Sequence, residues 1–339
     1  MTEATQAVPE GKGVPIPHAD LGARGVLDPQ VAEVLRLHAK AGQAPYETIG
    51  ANAARKAFDK ASRVLEIGSR PVHRIDHVEI PGRAGPVHGR LIWPHEPSWV
   101  DRLPVLLLLH GGGFTVGSSA TIEHIARMLA MEVHCAILAL DYRLAPEHRF
   151  PAAFEDAWDA LVWLHEEAGA LGLDASRIAV GGDSAGGTLA AACALQARDA
   201  GLPLRLQWLV YPGTGAHQDT ASHLRLAEGY LITRKTILWF FEQYLAHPAQ
   251  REDWRFAPLL ATDLRGLAPA WIAVAEFDPL VDEGVAYARR MQQSGVEVHL
   301  DFYPGMVHAF FNMGGYVTMA RRAHAQGVAA LRAAFTIQG

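Results

Sequence analysis

The chain has 339 residues, of which 50% are hydrophobic and 19% charged. A compact fold of this length hides about 75% of its unfolded surface, so it builds a core without a disulfide framework, and the composition excludes disorder as the main state. Lysine and arginine number 30 against 36 acidic residues, and the net charge of −6 disfavours a nucleic-acid-binding protein. Two cysteines, Cys135 and Cys193, lie in apolar segments and are expected in the core.

Membrane and secretion signals are not evident in the sequence. No apolar segment approaches the ~20 residues of a membrane span, and residues 1–27 lack the apolar stretch of a secretory signal. We therefore expect no membrane association and a cytoplasmic location.

In chain order, the sequence predicts helices, then an antiparallel pair of strands, then alternating strands and helices. After a proline- and glycine-rich tail, Asp28 and Pro29 are predicted to start a helix, and a second helical stretch is expected over residues 46–62. Residues 72–80 and 87–93 alternate apolar with polar, as in antiparallel strands half-open to water. Short apolar runs then predict parallel strands covered on both faces, at residues 105–109, 136–140, 178–180, 206–210 and 271–274. Amphipathic helical stretches between them indicate an α/β fold with a mostly parallel central sheet flanked by helices.

One connection is too long for a simple crossover. About sixty residues separate Tyr211 from Trp271, well beyond common loop lengths. They include a helical stripe with Ile237, Phe240 and Phe241 on one face. Together with the N-terminal helices, this insertion is predicted to form a lid over the sheet edge, although an ordinary helix packed on the core would carry the same stripe.

A candidate nucleophile lies in the sequence Gly-Asp-Ser-Ala-Gly at residues 182–186. The motif follows an apolar strand and opens an alanine-rich helical stretch, which is the context that a nucleophile turn requires. Small residues at 182 and 186 let the turn close, and the helix N-terminus favours developing negative charge at Ser184. A purely structural Gly-Ser turn is the alternative.

A glycine loop, His110-Gly111-Gly112-Gly113-Phe114, follows the run 105–109. Successive glycines cost backbone entropy, so we expect backbone amides close to a ligand atom. Together with the Ala185 amide they would stabilise an oxyanion. A phosphate-binding loop is the weaker alternative, because neither GxxxxGK[ST] nor GxGxxG is present.

A serine nucleophile needs a base, and the base needs an orienting carboxylate. Asp278 and His308 each follow an apolar run, so both are expected on loops at strand ends, in the chain order Ser, Asp, His. Other candidate acids are Glu276, Asp282 and Asp301. No metal site is expected, because H-E-x-x-H and paired C-x-x-C are absent and His217 and His223 have the spacing of neither.

Five motifs stand in consistent order: HGGGF at 110–114, DYRLAPEH at 141–148, GDSAGG at 182–187, DPL at 278–280 and His308. Together they resemble the bacterial hormone-sensitive-lipase-like esterases, in the GDSAGG branch, from about residue 72 to the C-terminus. The resemblance implies an α/β-hydrolase fold whose helical cap is built from the N-terminus and an insertion after the sixth strand. The implied divisions are a cap segment at 1–70, core at 71–211, a cap insertion at 212–256 and core at 257–339.

The same resemblance implies a role for particular residues. Ser184 would be the nucleophile, His308 the base and Asp278 the orienting acid. The oxyanion amides would come from Gly112, Gly113 and Ala185. The residues implied to support the loops are His110, Arg143 and Glu147. Apart from the resemblance, the aromatic residues expected to line a substrate pocket are Phe114, Trp239, Phe240 and Phe241, and filling the core is the alternative for at least half of those in the insertion. The chain has Ala309 where the family commonly has glycine, a change that leaves the mechanism intact and tightens the loop.

These expectations amount to a serine carboxylesterase that hydrolyses short- to medium-chain esters through an acyl-enzyme, without a cofactor. Its partner would be a small-molecule ester, and the resemblance also suggests a homodimer, although residues 296–303 alone do not establish an exposed edge. Two alternatives stay open. An amidase or deacetylase would use the same triad, and a non-catalytic receptor would share the fold.

Overall fold

The computed structural model describes residues 25–96 and 102–336. The helices of these residues are α1 Pro29–Ala41, α2 Tyr46–Ile49, α3 Ala51–Ser62, α4 Glu123–Val133, α5 Ala152–Leu171, α6 Ala185–Ala200, α7 Ala221–Arg225, α8 Arg234–Tyr244, α9 Val281–Gln293 and α10 Thr318–Phe335. The strands are β1 Arg74–Ile80, β2 Val87–Trp93, β3 Leu103–Leu109, β4 Ala136–Asp141, β5 Leu173–Asp183, β6 Gln207–Val210, β7 Ala270–Phe277 and β8 Val298–Val307. The proline- and glycine-rich tail of the sequence prediction lies largely outside the described residues.

The N-terminal helices follow the sequence prediction in one place and depart from it in another. The side chain of Asp28 accepts a hydrogen bond from the Gln30 amide at 2.8 Å, so it caps α1 as predicted. The helical stretch expected over 46–62 is present, but it is divided into two helices at Gly50. Gly50 has φ 76 and separates α2 from α3, because a left-handed residue ends the regular helical ladder.

The strands form one sheet in the order β1-β2-β4-β3-β5-β6-β7-β8. The β1–β2 and β2–β4 pairs are antiparallel, and the other neighbours are parallel. The predicted antiparallel pair and the predicted parallel strands are therefore confirmed. Of the two strands predicted to have one face open to water, only β1 is exposed in this way. Most of β2 is buried, because α4 packs against it.

Two apolar layers cover the sheet, one on each face. In β3, Val105, Leu107 and Leu109 join the layer that contains α5, α6 and α9, while Leu106 and Leu108 join the layer of α4 and α10. Successive side chains of a strand point to opposite faces, so a continuous apolar run results where both faces are covered. Cys135 and Cys193 are both fully buried, as predicted.

A third, smaller cluster joins the N-terminal helices to α8. Ala54 of α3 is buried against Val116, Trp239 and Phe240, with the half-buried Tyr46 at the side. Within residues 25–96 and 102–336, no helix is long and apolar enough to cross a membrane. In the parallel part of the sheet, β3, β5, β7 and β8 end at the same edge. The glycine loop and the predicted nucleophile, acid and base directly follow these four strands.

Candidate active site

Ser184 occupies a sharp turn between β5 and α6. Its backbone has φ 54 and ψ −120, a conformation that residues with side chains rarely adopt. A Cβ at Gly182 would lie 2.4 Å from the Leu109 carbonyl oxygen, and one at Gly186 would lie 2.0 Å from the same atom. Only glycine fits at both positions, since the turn presses against β3. The packing therefore holds Ser184 at the N-terminus of α6.

A line of hydrogen bonds connects Ser184 to two residues that are distant in sequence. The Nε2 atom of His308 lies 3.0 Å from the Ser184 hydroxyl oxygen, and its Nδ1 atom lies 2.7 Å from the Oδ2 atom of Asp278. Asp278 is fully buried, and His308 is only 6% exposed. This arrangement places a base against the hydroxyl and a carboxylate behind the base, which is the geometry of an activated serine.

Asp278 is the acid that the fold brings to His308. Its second oxygen accepts a hydrogen bond from the Leu280 amide at 2.9 Å, which fixes the carboxylate in the turn after β7. The other candidate acids bond elsewhere: Glu276 to the Gly305 amide, Asp282 to the Ser222 amide and Asp301 to the Trp271 indole. Of the four candidate acids, Asp278 is the one that the structure places within hydrogen-bond distance of His308, and its role as the orienting acid stays a prediction.

The glycine loop adopts a backbone that side chains would prevent. Gly112 has φ 118 and Gly113 has φ 55. A Cβ at Gly112 would lie 2.2 Å from the Val116 carbonyl oxygen, and one at Gly113 would meet the Phe240 ring at 2.2 Å. Neither the Gly112 nor the Gly113 amide donates a hydrogen bond to any described residue. The two amides are therefore free to donate to a bound group.

The first residues of the glycine loop are held by buried neighbours. The Nδ1–H of His110 donates to the Gly111 carbonyl at 2.7 Å, and the His110 ring stacks on Tyr142 with centroids 4.2 Å apart. The Tyr142 hydroxyl donates to the His110 carbonyl at 2.6 Å. Burial lowers the pKa of His110, so the ring is neutral at physiological pH and acts here as a hydrogen-bonding support.

Asp183 is a site residue whose role the sequence prediction did not assign. Its Oδ1 atom accepts the Gly111 amide at 2.7 Å, and its Oδ2 atom lies 3.4 Å from the side-chain nitrogen of Asn312. Burial raises the pKa of Asp183. The residue joins the nucleophile turn to the glycine loop and to the segment after His308. Its place directly before the nucleophile, at the end of a strand, is the sequence signal that could have identified it.

Comparison with known proteins agrees with this geometry. The family model described as alpha/beta hydrolase fold matches residues 106–312. The chain belongs to the alpha/beta hydrolase family. This alpha/beta hydrolase is 40% identical over 305 residues to the ethyl acetate hydrolase of Pseudomonas putida, covering 87% of this chain and 95% of that protein. It is 41% identical over 249 residues to the carboxylesterase NlhH of Mycobacterium tuberculosis, covering 72% and 77%.

A solved structure shows the same likeness. The hyperthermophilic esterase from Pyrobaculum calidifontis is 36% identical and superimposes with a TM-score of 0.86, covering 91% of this alpha/beta hydrolase and 98% of that chain. These relatives fit the hormone-sensitive-lipase-like esterases that the motifs resemble, and the predicted α/β-hydrolase fold is confirmed. The comparisons do not test the assignment to the GDSAGG branch, which stays a prediction.

Arg143 and Glu147 both hold loops of the hydrolase, with different partners. The Arg143 guanidinium contacts the buried Asp156 of α5 at 2.6 Å, and the Arg143 amide donates to the same carboxylate at 2.8 Å. The side-chain hydrogen bond with Asp156 raises the pKa of Arg143. Glu147 instead pairs with Arg55 of α3 at 2.5 Å. Glu147 thus connects its loop to an N-terminal helix, a partner that the sequence does not indicate.

Of the aromatic residues predicted to line a pocket, Phe114 lies in the core and Phe240 lies against the glycine loop. Phe114 stacks on Tyr244 with centroids 4.1 Å apart and is only 4% exposed. Phe240 lies against Gly113 and beside Trp239, and Phe241 packs edge-on to a core phenylalanine. Of these side chains, Phe240 is placed next to the glycine loop. The pocket role of all four stays a prediction.

A buried acid–base pair beside the Asp278 turn was also missed. Glu283 and His223 are both almost fully buried, with 3.4 Å between Oε2 and Nε2. The Oε1 atom of Glu283 accepts the Thr214 amide at 2.7 Å and the Gly215 amide at 3.2 Å. Burial raises the pKa of Glu283 and lowers that of His223, so burial disfavours the charged form of each. From sequence, His223 enters only as a possible metal ligand, and no group of potential metal ligands occurs among the residues that the structure describes.

Proposed function

We propose that this alpha/beta hydrolase is a serine carboxylesterase that works through an acyl-enzyme at Ser184. The observation that carries the proposal is the hydrogen-bond line from the Ser184 hydroxyl through His308 to the buried Asp278, at 3.0 and 2.7 Å. The relatives support the substrate class, since the most similar ones include an ethyl acetate hydrolase and a carboxylesterase.

The proposed first step forms the acyl-enzyme. The Ser184 oxygen attacks the ester carbonyl while His308 Nε2 takes the hydroxyl proton, and Asp278 stabilises the resulting imidazolium through Nδ1. The tetrahedral intermediate collapses as His308 passes the proton to the departing alkoxide, which leaves as an alcohol. In the second step His308 takes a proton from water as the oxygen attacks the acyl carbon. The second tetrahedral intermediate then collapses as His308 returns the proton to the Ser184 oxygen, and the carboxylic acid is released.

The proposed oxyanion donors are the amides of Gly112, Gly113 and Ala185. The two glycine amides have no acceptor among the described residues, and Ala185 begins α6 directly after the nucleophile. The helix N-terminus adds a favourable dipole for the negative oxygen. Loss of one such donor typically reduces kcat by about 10²–10³.

A cap formed by residues 25–70 and 212–256 is part of the proposal; residues 1–24 of the predicted cap segment lie outside the described residues. Its support is the contact between α2 and α8, where the Thr236 hydroxyl donates to Glu47 at 3.1 Å and Tyr46 lies edge-on to Phe240 at 6.2 Å. A cover of this kind favours short- and medium-chain esters of small molecules. A homodimer and a cytoplasmic location stay predictions, and size-exclusion chromatography tests the first of them.

The test is hydrolysis of p-nitrophenyl esters from acetate to palmitate by the native chain and by Ser184→Ala. We expect a maximum at short or medium acyl chains and loss of activity by several orders of magnitude in the variant. The control is Ser62→Ala, which changes a partly exposed serine at the end of α3. Activity that survives Ser184→Ala would overturn the assignment of the nucleophile. Activity on amides alone would favour the amidase.

A further inference from the structure

Arg55 lies on α3 and reaches two loops of the core. Its Nε donates to the Thr115 carbonyl at 2.9 Å, and its Nη2 donates to the Ala145 carbonyl at 2.8 Å. The guanidinium also pairs with both oxygens of Glu147, at 3.0 and 2.5 Å. One cap side chain therefore contacts the end of the glycine loop and the loop that follows β4.

The end of the glycine loop and the loop that follows β4 are also hydrogen-bonded to each other. The Thr115 amide donates to the Gly112 carbonyl at 3.0 Å, and the Thr115 hydroxyl donates to the Gly113 carbonyl at 3.1 Å. The Ala145 amide donates to the Phe114 carbonyl at 2.8 Å. The Gly112 carbonyl belongs to the peptide unit that carries the Gly113 amide, so a shift of Thr115 would turn the Gly113 amide.

The glycine loop is held at both ends, but from different parts of the fold. At its start, Gly111 is bound to Asp183 in the rigid turn between β5 and α6. At its end, Thr115 is bound to Arg55 on an N-terminal helix. The start is fixed by the core, and the end depends on how α3 is docked.

The hydrogen bonds from Arg55 to the two carbonyls hold its guanidinium more strongly than the ion pair with Glu147 does. The Glu147 side chain is 50% exposed, and an exposed ion pair contributes little to stability. The bonds to Thr115 and Ala145 are partly buried, and they join a charged donor to carbonyl acceptors, which makes them stronger than neutral hydrogen bonds. A planar guanidinium donates in several fixed directions, which a lysine ammonium does not reproduce.

We propose that Arg55 is a positioning residue of this esterase, through which docking of the cap helix α3 sets the oxyanion donor Gly113. The inference rests on the proposed function and extends it. With the Arg55 contacts in place, the Gly113 amide is aligned for the oxyanion. Loss of these contacts would release the end of the loop, so the packing of α3 and the placement of this donor are coupled.

The experiment compares Arg55→Met with Arg55→Lys and Glu147→Gln. For each protein, active sites are titrated by the p-nitrophenol burst from an activated phosphonate, and kcat and KM on p-nitrophenyl acetate are then expressed per titrated site. We expect Arg55→Met to lower kcat by about tenfold or more with KM changed by less than about threefold, because the oxyanion donor Gly113 is misplaced while the substrate still binds. Arg55→Lys should recover part of the rate, and Glu147→Gln should lose less than Arg55→Met.

Arg36→Met is the matched control, since it removes an exposed ion pair with Glu33 on α1. It should behave like the native chain. Amide hydrogen exchange of residues 110–116, followed by mass spectrometry, is the second readout, and it should be faster in Arg55→Met than in Arg36→Met.

Either of two results would overturn the proposal: a native kcat per titrated site in Arg55→Met, or unchanged amide exchange in residues 110–116 of that variant. A lower melting temperature with a native kcat per site would show a merely structural role. If Arg55→Met does not fold, a native kcat per site in Arg55→Lys overturns the proposal in its place. A native chain that hydrolyses no ester would reject the proposed function, and the exchange experiment would still decide whether Arg55 holds the loop.

Discussion

At the scale of single residues, the candidate site depends on backbone positions that only certain side chains accept. Ser184 has φ 54, and the turn closes because Gly182 and Gly186 have no Cβ to strike the Leu109 carbonyl. The strained conformation places the hydroxyl at the start of α6 and 3.0 Å from His308. The orientation of His308 depends in turn on one carboxylate, Asp278.

Asp278→Asn tests that carboxylate. The asparagine amide would present an N–H to His308 Nδ1 and favour the wrong tautomer of the imidazole. We therefore expect kcat to fall by about 10³–10⁴, close to the loss that serine proteases show when the orienting aspartate is replaced by asparagine. The measurement is kcat on p-nitrophenyl acetate with the fold checked by circular dichroism.

Asp282→Asn is the matched control for this prediction. Asp282 lies four residues further along the same segment and binds the Ser222 amide instead of His308. We expect its kcat to stay within about threefold of the native value, which corresponds to less than ~1 kcal/mol. A large loss in Asp282→Asn together with a native rate in Asp278→Asn would reverse the assignment of the acid.

At the scale of elements, the loop after β6 is fixed on two sides. The Thr188 hydroxyl of α6 donates to the Gly213 carbonyl at 2.5 Å, and Glu283 of α9 accepts the amides of Thr214 and Gly215. This loop therefore joins the helix that follows Ser184 to the helix that follows the Asp278 turn. It also begins the predicted cap insertion, so the same contacts position the first cap residues.

Glu283→Ala would leave the Thr214 and Gly215 amides without their acceptor in a buried place. We expect the free energy of unfolding to fall by about 2–3 kcal/mol, because buried donors without partners are costly. Glu283→Gln keeps an acceptor oxygen and should stay within about 1 kcal/mol of the native chain. Urea unfolding at pH 7 measures both. Equal losses in the two variants would show that the carboxylate charge matters more than the hydrogen bonds.

At the scale of the whole molecule, the sheet is covered on both faces, and buried polar groups are enclosed in the packing. His124 of α4 and His324 of α10 are almost fully buried on one face. Burial, together with the charge of His324, lowers the pKa of His124 to about 4, and burial lowers the pKa of His324 to about 4. The Glu66 carboxylate lies 3.5 Å from the His124 ring.

The protein should lose stability in acid because of these histidines. Each has a folded-state pKa of about 4, below its ordinary value of 6.5, so the unfolded chain binds protons first as the pH falls from 6.5 to 4. The contribution of each is present above pH 6.5 and is lost by pH 4, on the order of 3 kcal/mol. Urea unfolding between pH 7 and 4.5 measures it.

His124→Met should reduce this pH dependence, since the replacement does not titrate. His38→Gln on α1 is the control, because His38 is exposed to solvent. The same slope of stability against pH in His124→Met and in the native chain would contradict the assignment to His124.

Much of the fold was predictable from local patterns. Strand β3 is apolar on both faces, and this alone indicates a parallel strand covered by helices. The motif around Ser184 is also local, because the strand, the turn and the helix are contiguous in sequence. Gly50 shows the limit of periodicity, since residues on both of its sides fit a helix and its φ of 76 still separates α2 from α3.

The contacts that join distant segments were not predictable. Arg55 and Thr115 are 60 residues apart, and Glu283 and Thr214 are 69 apart, with no shared motif between them. A side chain on a helix surface has many candidate partners, and the choice depends on how the helices dock.

The sequence by itself determined the type of fold, the order of its strands and helices along the chain, and the identity of Ser184, Asp278 and His308 as a candidate set. These follow from local periodicity and from short motifs at strand ends. Only the tertiary structure decided which carboxylate faces His308, that Asp183 holds Gly111, and that α3 contacts the end of the glycine loop through Arg55. The reason is physical: periodicity is fixed by neighbours in sequence, whereas a hydrogen bond between distant segments depends on the packing of the whole chain.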